Sequence, residues 1–265
     1  MGTEPRSLLT KVVDSLESGG ILKTASKVVR YPLWRLYRRS IEHITADSLS
    51  IEDRFTKINS AARFFWGSSE SASGRGSTLG ATANLRKQLP KLFEAFSIGS
   101  LFDAPCGDLN WMKMVLNDVE VDYVGADIVK PLINKNNVNY GSSRVKFVHF
   151  DITKDDFPKA DLWICRDCLG HLSFADTIQA LRRFLESDIP YVLTTTNKNV
   201  DGFKNYDIDT GDWRAIDLFS EPYHFDKNVL YRIDDAEMPA AQNVMCLWSR
   251  DQLANSLEKF QRSVL

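Results

Sequence analysis

The sequence predicts an α/β fold in which a mostly parallel β-sheet carries helices on both faces. Two observations support this prediction. From about residue 97 onward, short apolar runs alternate with segments of helical periodicity, which is the order of consecutive βαβ units. In addition, the apolar runs end in polar or acidic residues, as is typical where the carboxyl ends of parallel strands meet a ligand.

The predicted elements follow one another in a regular order. Strands are expected in IGSLFDA, VDYVGADI, RVKFVHFDI, ADLWICRD and PYVLTTTN, with further strand character up to NVMCLWSRDQL. The segments LNWMKMVLNDV, PLINKNNVNYG and FADTIQALRRFLESD are expected to form helices between them. Residues 1–65 are predicted to be an N-terminal helical extension, and residues 66–265 the main domain.

The composition limits the kinds of partner and compartment. The 265 residues are 43% hydrophobic and carry a net charge of −2, which allows a sizeable core and predicts no nucleic-acid partner. The four cysteines are too few and too irregularly spaced for a disulfide framework, so a reducing, cytoplasmic location is expected. No apolar run approaches the roughly 20 residues of a transmembrane helix. The basic and aromatic segment 27–40 predicts either a helix packed on the main domain or a peripheral contact with an anionic membrane surface.

The stretch LFDAPCGDLNWM, residues 101–112, is predicted to be a strand, a turn and a helix. Its turn contains one glycine, Gly107, between the carboxylates of Asp103 and Asp108, which does not suit the pyrophosphate of a dinucleotide. Asp127 ends the next strand, 127 − 107 = 20 residues after Gly107, at about the spacing at which a carboxylate meets ribose hydroxyls. These residues predict a ligand with ribose hydroxyls and a positive centre but without phosphates.

Four motifs in order resemble class I S-adenosylmethionine-dependent methyltransferases. They are DAPCGD after the first strand, Asp127 on the second, Asp151-Ile152 after the third, and CRDCLGHL, residues 165–172, after the fourth. The resemblance implies a Rossmann-like methyltransferase fold with a seven-stranded, mostly parallel sheet, and S-adenosylmethionine (SAM) as the cofactor. The cofactor-binding residues that it implies lie at the strand ends: Asp103, Ala104, Pro105, Gly107, Asp127, Ile128, Asp151, Ile152 and Arg166.

A longer resemblance includes the polar segment before the first strand. WGSSESASGRGSTLGAT, together with LRKQLPKLF, TTTN and GDWRAIDL, looks like a mostly bacterial group of methyltransferases, some of which belong to glycan or small-molecule pathways. The resemblance implies that residues 66–80 form a lid over the cofactor, whereas their composition alone indicates a solvated loop. The lid contacts that it implies are Trp66, Ser73, Gly74, Ser77 and Thr78.

The motif CRDCLGHL supplies the candidate catalytic residues. If the methyl acceptor is a hydroxyl, a general base near the sulfonium accelerates the reaction, and His171 and Asp167 are the candidates. His171 could instead cap the next helix or bond to the backbone, and Asp167 could orient His171, bind the acceptor or hold a metal. Cys165 and Cys168 form a C-x-x-C motif, which could mark a thiol redox site or half of a zinc site. A redox motif normally opens a helix after an early strand, whereas this one ends the fourth, and no second pair completes a zinc site, so neither a redox nor a metal site is predicted.

Residues 197–225, which follow the fifth predicted strand, are predicted to be an acceptor-site insertion, with an insertion that merely covers the sheet edge as the alternative. The candidate contacts with a sugar ring are Asp207, Asp209, Asp212, Trp213, Arg214 and His224. The acids could also hold Mg²⁺, although their spacing does not support this. The resulting hypothesis is methyl transfer from SAM to a hydroxyl of a small polar acceptor, such as a sugar or glycan. The alternatives are a methyltransferase for protein or nucleic acid and a non-catalytic SAM-binding protein.

Overall fold

The structure is a computed structural model that describes residues 49–66, 70–198, 203–235 and 243–264, without the side chains of residues 61–66. In this part of the chain seven strands form one sheet in the order β3-β2-β1-β4-β5-β7-β6. The strands are β1 (Ser100–Asp103), β2 (Asp122–Asp127), β3 (Val145–His149), β4 (Leu162–Cys165), β5 (Tyr191–Asn197), β6 (Tyr231–Asp234) and β7 (Asn243–Ser249). The segment that forms β6 is not located by the sequence pattern.

The sheet is mostly parallel, which confirms the prediction. Strands β1 to β5 pair in parallel, and β7 runs antiparallel both to β5 and to β6. Only β7 is therefore reversed among the described strands. The strand order changes direction at β1, which pairs with β2 on one side and β4 on the other, and this is where an open α/β sheet places its ligand.

Six helices accompany the sheet in the described ranges. They are α1 (Ile51–Trp66), α2 (Ala83–Ala95), α3 (Met112–Asp118), α4 (Lys130–Tyr140), α5 (Phe174–Leu185) and α6 (Arg250–Val264), with short 3-10 turns at Arg75–Ser77 and Leu169–His171. The start of α5 is defined by Ser173, whose hydroxyl accepts a hydrogen bond from the backbone N–H of Asp176. Helix α3 begins three residues later than the predicted LNWMKMVLNDV segment, because Leu109 takes a positive φ of 59° that helical backbone excludes.

The apolar core has two layers, one on each face of the sheet. In β4, Trp163 and Cys165 belong to the cluster that contains the buried side chains of α5 and α6. The alternating residues Leu162 and Ile164 belong to the cluster that contains those of α2, α3 and α4. Because successive side chains of a strand point to opposite faces, this alternation confirms the prediction of helices on both sides.

The N-terminal region is described only from residue 49. Helix α1 belongs to the compact unit that runs from Ser50 to Leu265. The predicted boundary between residues 65 and 66 falls at the last residue of α1 and stays a prediction, and the segment 27–40 lies outside the described residues. None of the described helices is both long and apolar enough to cross a membrane.

We expect the Phe184→Ala substitution to lower the free energy of unfolding by about 3–5 kcal/mol, since the ring is fully buried and its loss leaves a cavity. The ring centroids of Phe184 and Trp163 are 5.2 Å apart, so the cavity opens next to the central strand β4. Urea denaturation followed by circular dichroism measures the change. Tyr206→Ala is the control, because this ring is 55% exposed, and it should change the stability by less than about 0.5 kcal/mol. Equal losses for the two variants would contradict the assignment of Phe184 to the core.

Candidate active site

A cavity of about 600 Å³ opens at the carboxyl ends of the central strands. Its volume lies in the roughly 300–1,000 Å³ range of small-molecule sites. The structure brings most of the sequence-predicted site residues to its wall: Ser73, Gly74, Ser77, Asp103, Ala104, Pro105, Gly107, Asp127, Ile128, Asp151, Ile152, Arg166, Asp167 and His171. Thr78 is not among the lining residues, and the side chain of Trp66 lies outside the described part of the chain.

The turn after β1 explains why one glycine is sufficient there. Gly107 has a φ of 57°, a conformation that side chains disfavour. A Cβ at this position would also overlap with the Ser73 hydroxyl oxygen. That oxygen accepts a hydrogen bond of 2.9 Å from the backbone N–H of Asp108. Gly107 is therefore required for the close approach of residues 71–73 to the turn.

The segment implied to be a lid is tied to this turn by two side chains. The Asp108 carboxylate accepts hydrogen bonds from the hydroxyl of Ser71 at 2.9 and 3.0 Å and from the backbone N–H of Ala72 at 2.6 Å. The Asn110 amide donates to the Glu70 carboxylate at 2.6 Å and to the Ser77 carbonyl at 3.0 Å. These bonds hold residues 70–77 against the mouth of the cavity.

Thr78, which was also expected to contact the cofactor, forms hydrogen bonds within its own turn instead. Its hydroxyl donates to the Arg75 carbonyl at 3.0 Å and accepts from the backbone N–H of Ala81 at 3.2 Å. The side chain thus stabilises the turn that leads into α2.

Two buried carboxylates face the cavity from β1 and β2. Asp127 accepts hydrogen bonds from the backbone N–H groups of Val129 at 2.9 Å and Gly107 at 3.1 Å. Burial raises the pKa of Asp127 to about 6, although these hydrogen bonds act in the opposite direction. Asp103 accepts a bond of 2.6 Å from the Tyr123 hydroxyl, and burial raises its pKa to about 7. Both groups can therefore change their ionisation state near neutral pH.

Asp151, after β3, lies in a more polar environment. Its carboxylate accepts hydrogen bonds from the backbone N–H and the hydroxyl of Thr153 at 2.9 and 2.6 Å, and Lys154 lies 3.0 Å away. Burial alone would raise the pKa of Asp151, but the hydrogen bonds and the nearby ammonium outweigh it and lower the pKa. This carboxylate is therefore ionised at neutral pH and acts as an acceptor.

Arg166 joins three segments at the end of β4. Its Nε donates to the Asp235 carboxylate at 2.7 Å, and Nη2 donates to the Gly76 carbonyl at 2.9 Å. Its Nη1 lies 3.2 Å from the Asp167 carboxylate. The guanidinium also lies 5.6 Å from the centroid of the Trp111 ring, within the range of a cation–π contact. The buried cation is therefore neutralised by the protein's own carboxylates.

His171 lies in the short 3-10 turn after β4, where its ring lines the cavity. Its Nδ1 is 2.7 Å from the backbone carbonyl of Asp212. A carbonyl oxygen only accepts, so Nδ1 carries a proton, and in the neutral form of the ring Nε2 would be the nitrogen that accepts. The ring also makes an edge contact with Phe55, with centroids 6.4 Å apart. This tautomer is the one that suits a general base acting through Nε2.

The acceptor-site insertion at residues 197–225 stays a prediction, and most of its candidate contacts lie outside the described cavity lining. Among the described lining residues, Trp213 is the sole member of the six predicted sugar contacts. Asp207 instead accepts from the backbone N–H of Phe174 at 2.7 Å, at the start of α5. Arg214 is buried, donates to the Tyr223 hydroxyl at 2.6 Å and lies over the Phe174 ring. These two side chains stabilise the loop and do not reach the cavity.

Several lining residues are not among those that the sequence indicated. They come from α1, from the turn before α3 and from β7: Ile51, Phe55, Ile58, Asn59, Trp111 and Asn243. Ile51, Phe55 and Ile58 are spaced so that they lie on one face of a helix. This spacing is visible in the sequence and could have indicated an apolar helix face. Asn243 donates to the Asp167 carboxylate at 3.3 Å, and no local pattern in the sequence indicates this pairing.

The cysteines show no sign of activation. All four are free thiols, and burial raises the pKa of Cys165, which faces Cys168, well above its ordinary value. A redox-active thiol requires the opposite shift. Within the described ranges, no group of three or more His, Cys, Asp or Glu residues could hold a metal ion.

Comparison with known proteins shows similarity at the level of structure. No protein-family model matches the chain, and no curated protein sequence matches it. Human N-acetylserotonin methyltransferase in complex with SAM has a TM-score of 0.52 and 12% sequence identity, over 90% of this chain and 69% of that chain.

Two further solved structures show the same degree of similarity. LaPhzM has a TM-score of 0.54 and 10% identity, over 84% of this chain and 70% of that chain. PigF with SAH, the demethylated form of SAM, has a TM-score of 0.54 and 12% identity, over 87% of this chain and 73% of that chain. Together with the strand order, these similarities show that the chain has a Rossmann-like α/β methyltransferase fold.

Proposed function

We propose that the chain is a SAM-dependent methyltransferase that acts on a hydroxyl oxygen of a small acceptor. The observation that carries this proposal is the Asp127 carboxylate, which lines the cavity at the end of β2 beside the turn at Gly107. Bound SAM supplies an electrophilic methyl group on a positively charged sulfur. Two of the solved structures of similar fold contain SAM or its demethylated form, SAH.

The charges of the cavity fit this cofactor. Four aspartates line it, Asp103, Asp127, Asp151 and Asp167, and the one Lys or Arg among the described lining residues is Arg166. The charge of Arg166 is already neutralised by Asp235 and Asp167. A surplus of carboxylates attracts a cationic sulfonium and disfavours the phosphates of a dinucleotide.

The strand ends present suitable partners for each part of the cofactor. Asp127 would accept hydrogen bonds from the ribose hydroxyls, and Asp151 would accept from the adenine amine. The turn at 104–107 would let the backbone approach the methionine part, and residues 70–77 would close over it. Ile128 and Ile152 line the same cavity and would pack against the adenine ring.

His171 is the proposed general base. Its Nε2 lone pair would accept the proton of the acceptor hydroxyl, while the Nδ1–H bond to the Asp212 carbonyl keeps the ring oriented. Such a base contributes about 10²–10⁴-fold to a rate. Asp167 is held by Arg166 and Asn243, so its proposed role is to position the wall of the cavity near the acceptor.

Fewer of the lining residues bear on the identity of the acceptor than on that of the cofactor. The sugar or glycan acceptor predicted from the sequence stays a prediction, and the predicted acids Asp207, Asp209 and Asp212 are not among the described lining residues. A reducing compartment such as the cytoplasm is part of the proposal, because all four cysteines are free thiols.

We expect SAH to bind more weakly as the pH falls through about 6, because ribose hydroxyls donate to the ionised form of Asp127 and burial raises its pKa to about 6. Above this pH the Asp127 carboxylate is charged, and any further change in affinity would come from Asp103, whose pKa is about 7. Asp127→Asn should weaken SAH binding about 10–100-fold at pH 7.5 and remove the part of the pH dependence that is centred near pH 6. Isothermal titration calorimetry at several pH values measures both effects. Asp122→Asn, at the exposed start of β2, is the control, and an unchanged affinity in Asp127→Asn would contradict the ribose assignment.

Gly107→Ala tests the contact between the turn and residues 71–73. The added methyl group overlaps with the Ser73 side chain and the residue keeps a φ that alanine disfavours, so the contact between Ser73 and the turn must loosen. We expect at least about tenfold weaker SAH binding, since one strained position costs about 1–3 kcal/mol. Gly99→Ala is the matched control, because its Cβ would meet its nearest neighbour at an ordinary 3.6 Å. Equal SAH affinities for the two variants would contradict the proposed closure of this segment.

His171→Asn separates base catalysis from structure. The Asn amide can still donate to the Asp212 carbonyl, but no group remains at the position of Nε2 to accept a proton. We expect kcat for methyl transfer to fall about 10²–10⁴-fold, with the Kd of SAH unchanged. The acceptor for this assay comes from a mass-spectrometric screen of hydroxyl compounds. His224→Asn, which changes a histidine outside the cavity lining, should leave both quantities unchanged. A normal kcat in His171→Asn would rule out this residue as the base.

A further inference from the structure

One end of the cavity is lined by an apolar face of α1. Ile51, Phe55 and Ile58 are spaced by four and three residues, which places them on the same side of the helix, and all three line the cavity. Phe55 packs partly against the core cluster of α5 and α6, whereas Ile58 is 39% exposed, so the Ile58 side of this face is open to the cavity. The edge contact of Phe55 with the His171 ring places the face next to the proposed base.

Trp213 lines the same end of the cavity and is 60% exposed. The loop that carries it is fixed by backbone hydrogen bonds on both sides of the indole. Gly211 N–H donates to the His171 carbonyl at 2.9 Å, and Arg214 N–H donates to the Gly170 carbonyl at 3.0 Å. A large aromatic side chain is therefore held in an exposed position beside His171, where a ligand can cover it.

The polar groups at this end are few. Helix α1 and the loop at Trp213 contribute one polar lining residue, Asn59, and the apolar or aromatic residues Ile51, Phe55, Ile58 and Trp213. The nearby Asp167 carboxylate is already bound by Arg166 and Asn243. A sugar presents several hydroxyls and requires convergent carboxylates or amides. Asp207, which the sequence pattern offers for that purpose, accepts instead from the backbone at the start of α5.

We propose that the acceptor is a planar aromatic compound that carries the hydroxyl on its ring and packs between α1 and Trp213. This proposal rests on the proposed function, because it concerns the acceptor end of the same cavity. The ring packs against Phe55 and the indole of Trp213, and its hydroxyl faces Nε2 of His171. An aromatic hydroxyl also suits this base, since its pKa is near 10, as in tyrosine, whereas an aliphatic hydroxyl is a far weaker acid.

The test uses the full chain saturated with SAH and three probes. They are β-naphthol, its saturated analogue decahydro-β-naphthol, and methyl glucoside. Saturation-transfer NMR titration gives the dissociation constant of each probe. We expect β-naphthol to bind about three- to tenfold more tightly than the saturated analogue, because stacking adds to the burial of area, and methyl glucoside to bind most weakly.

The variants Phe55→Leu and Trp213→Leu locate the binding site. Each should weaken β-naphthol binding by about three- to tenfold and leave the affinity for SAH unchanged. Tyr206→Leu is the control, because this ring is exposed on the same loop but does not line the cavity. Methyl glucoside binding at least as tightly as β-naphthol, or equal binding of β-naphthol to all variants, would overturn the proposal. Failure of SAH itself to bind would contradict the proposed function, whereas SAH binding without β-naphthol binding contradicts only the aromatic acceptor.

Discussion

The arrangement of the cavity depends on the buried guanidinium of Arg166. It connects the end of β4, through Asp167, to the end of β6, through Asp235, and to the 3-10 turn at Gly76. A buried cation is costly unless it is paired, so these three segments can approach one another only when the two carboxylates accompany the arginine. Burial raises the pKa of Asp235 to about 6, and the attraction of Arg166 opposes this rise. The pairing therefore holds the wall of the cavity while it leaves no positive charge for a phosphate.

The single glycine of the turn after β1, Gly107, also serves to bring separate segments together at the cavity. Gly107 allows Ser73 to approach the turn, and the Asp108 carboxylate then binds the backbone and hydroxyl groups of residues 71 and 72. A phosphate-binding turn would leave its backbone N–H groups open to an anion. Here the N–H of Gly107 donates to Asp127 and that of Asp108 donates to Ser73, so the turn supplies shape and negative charge instead.

The sequence pattern locates the site residues that are close to one another along the chain. It does not locate those that reach the cavity from distant elements. Asp127 could be assigned to the cavity because a strand, a turn and a helix separate it from Gly107 by a nearly constant number of residues. Phe55 and Asn243 reach the cavity from α1 and β7, far along the chain, and depend on the packing of the whole sheet. The polar loop after β5 shows why polar residues alone do not locate a contact, since Asp207 accepts a hydrogen bond from the backbone at the start of α5. Polar residues in a long loop can serve the loop itself.

The cavity suits a cofactor with a ribose and a positive centre but without phosphates. Calorimetric titration of the full chain with SAH and, separately, with NAD tests it most directly. Both ligands offer adenosine hydroxyls and an adenine amine, but NAD also carries a pyrophosphate. We expect one bound SAH per chain and no measurable binding of NAD. Binding of NAD without binding of SAH would contradict it.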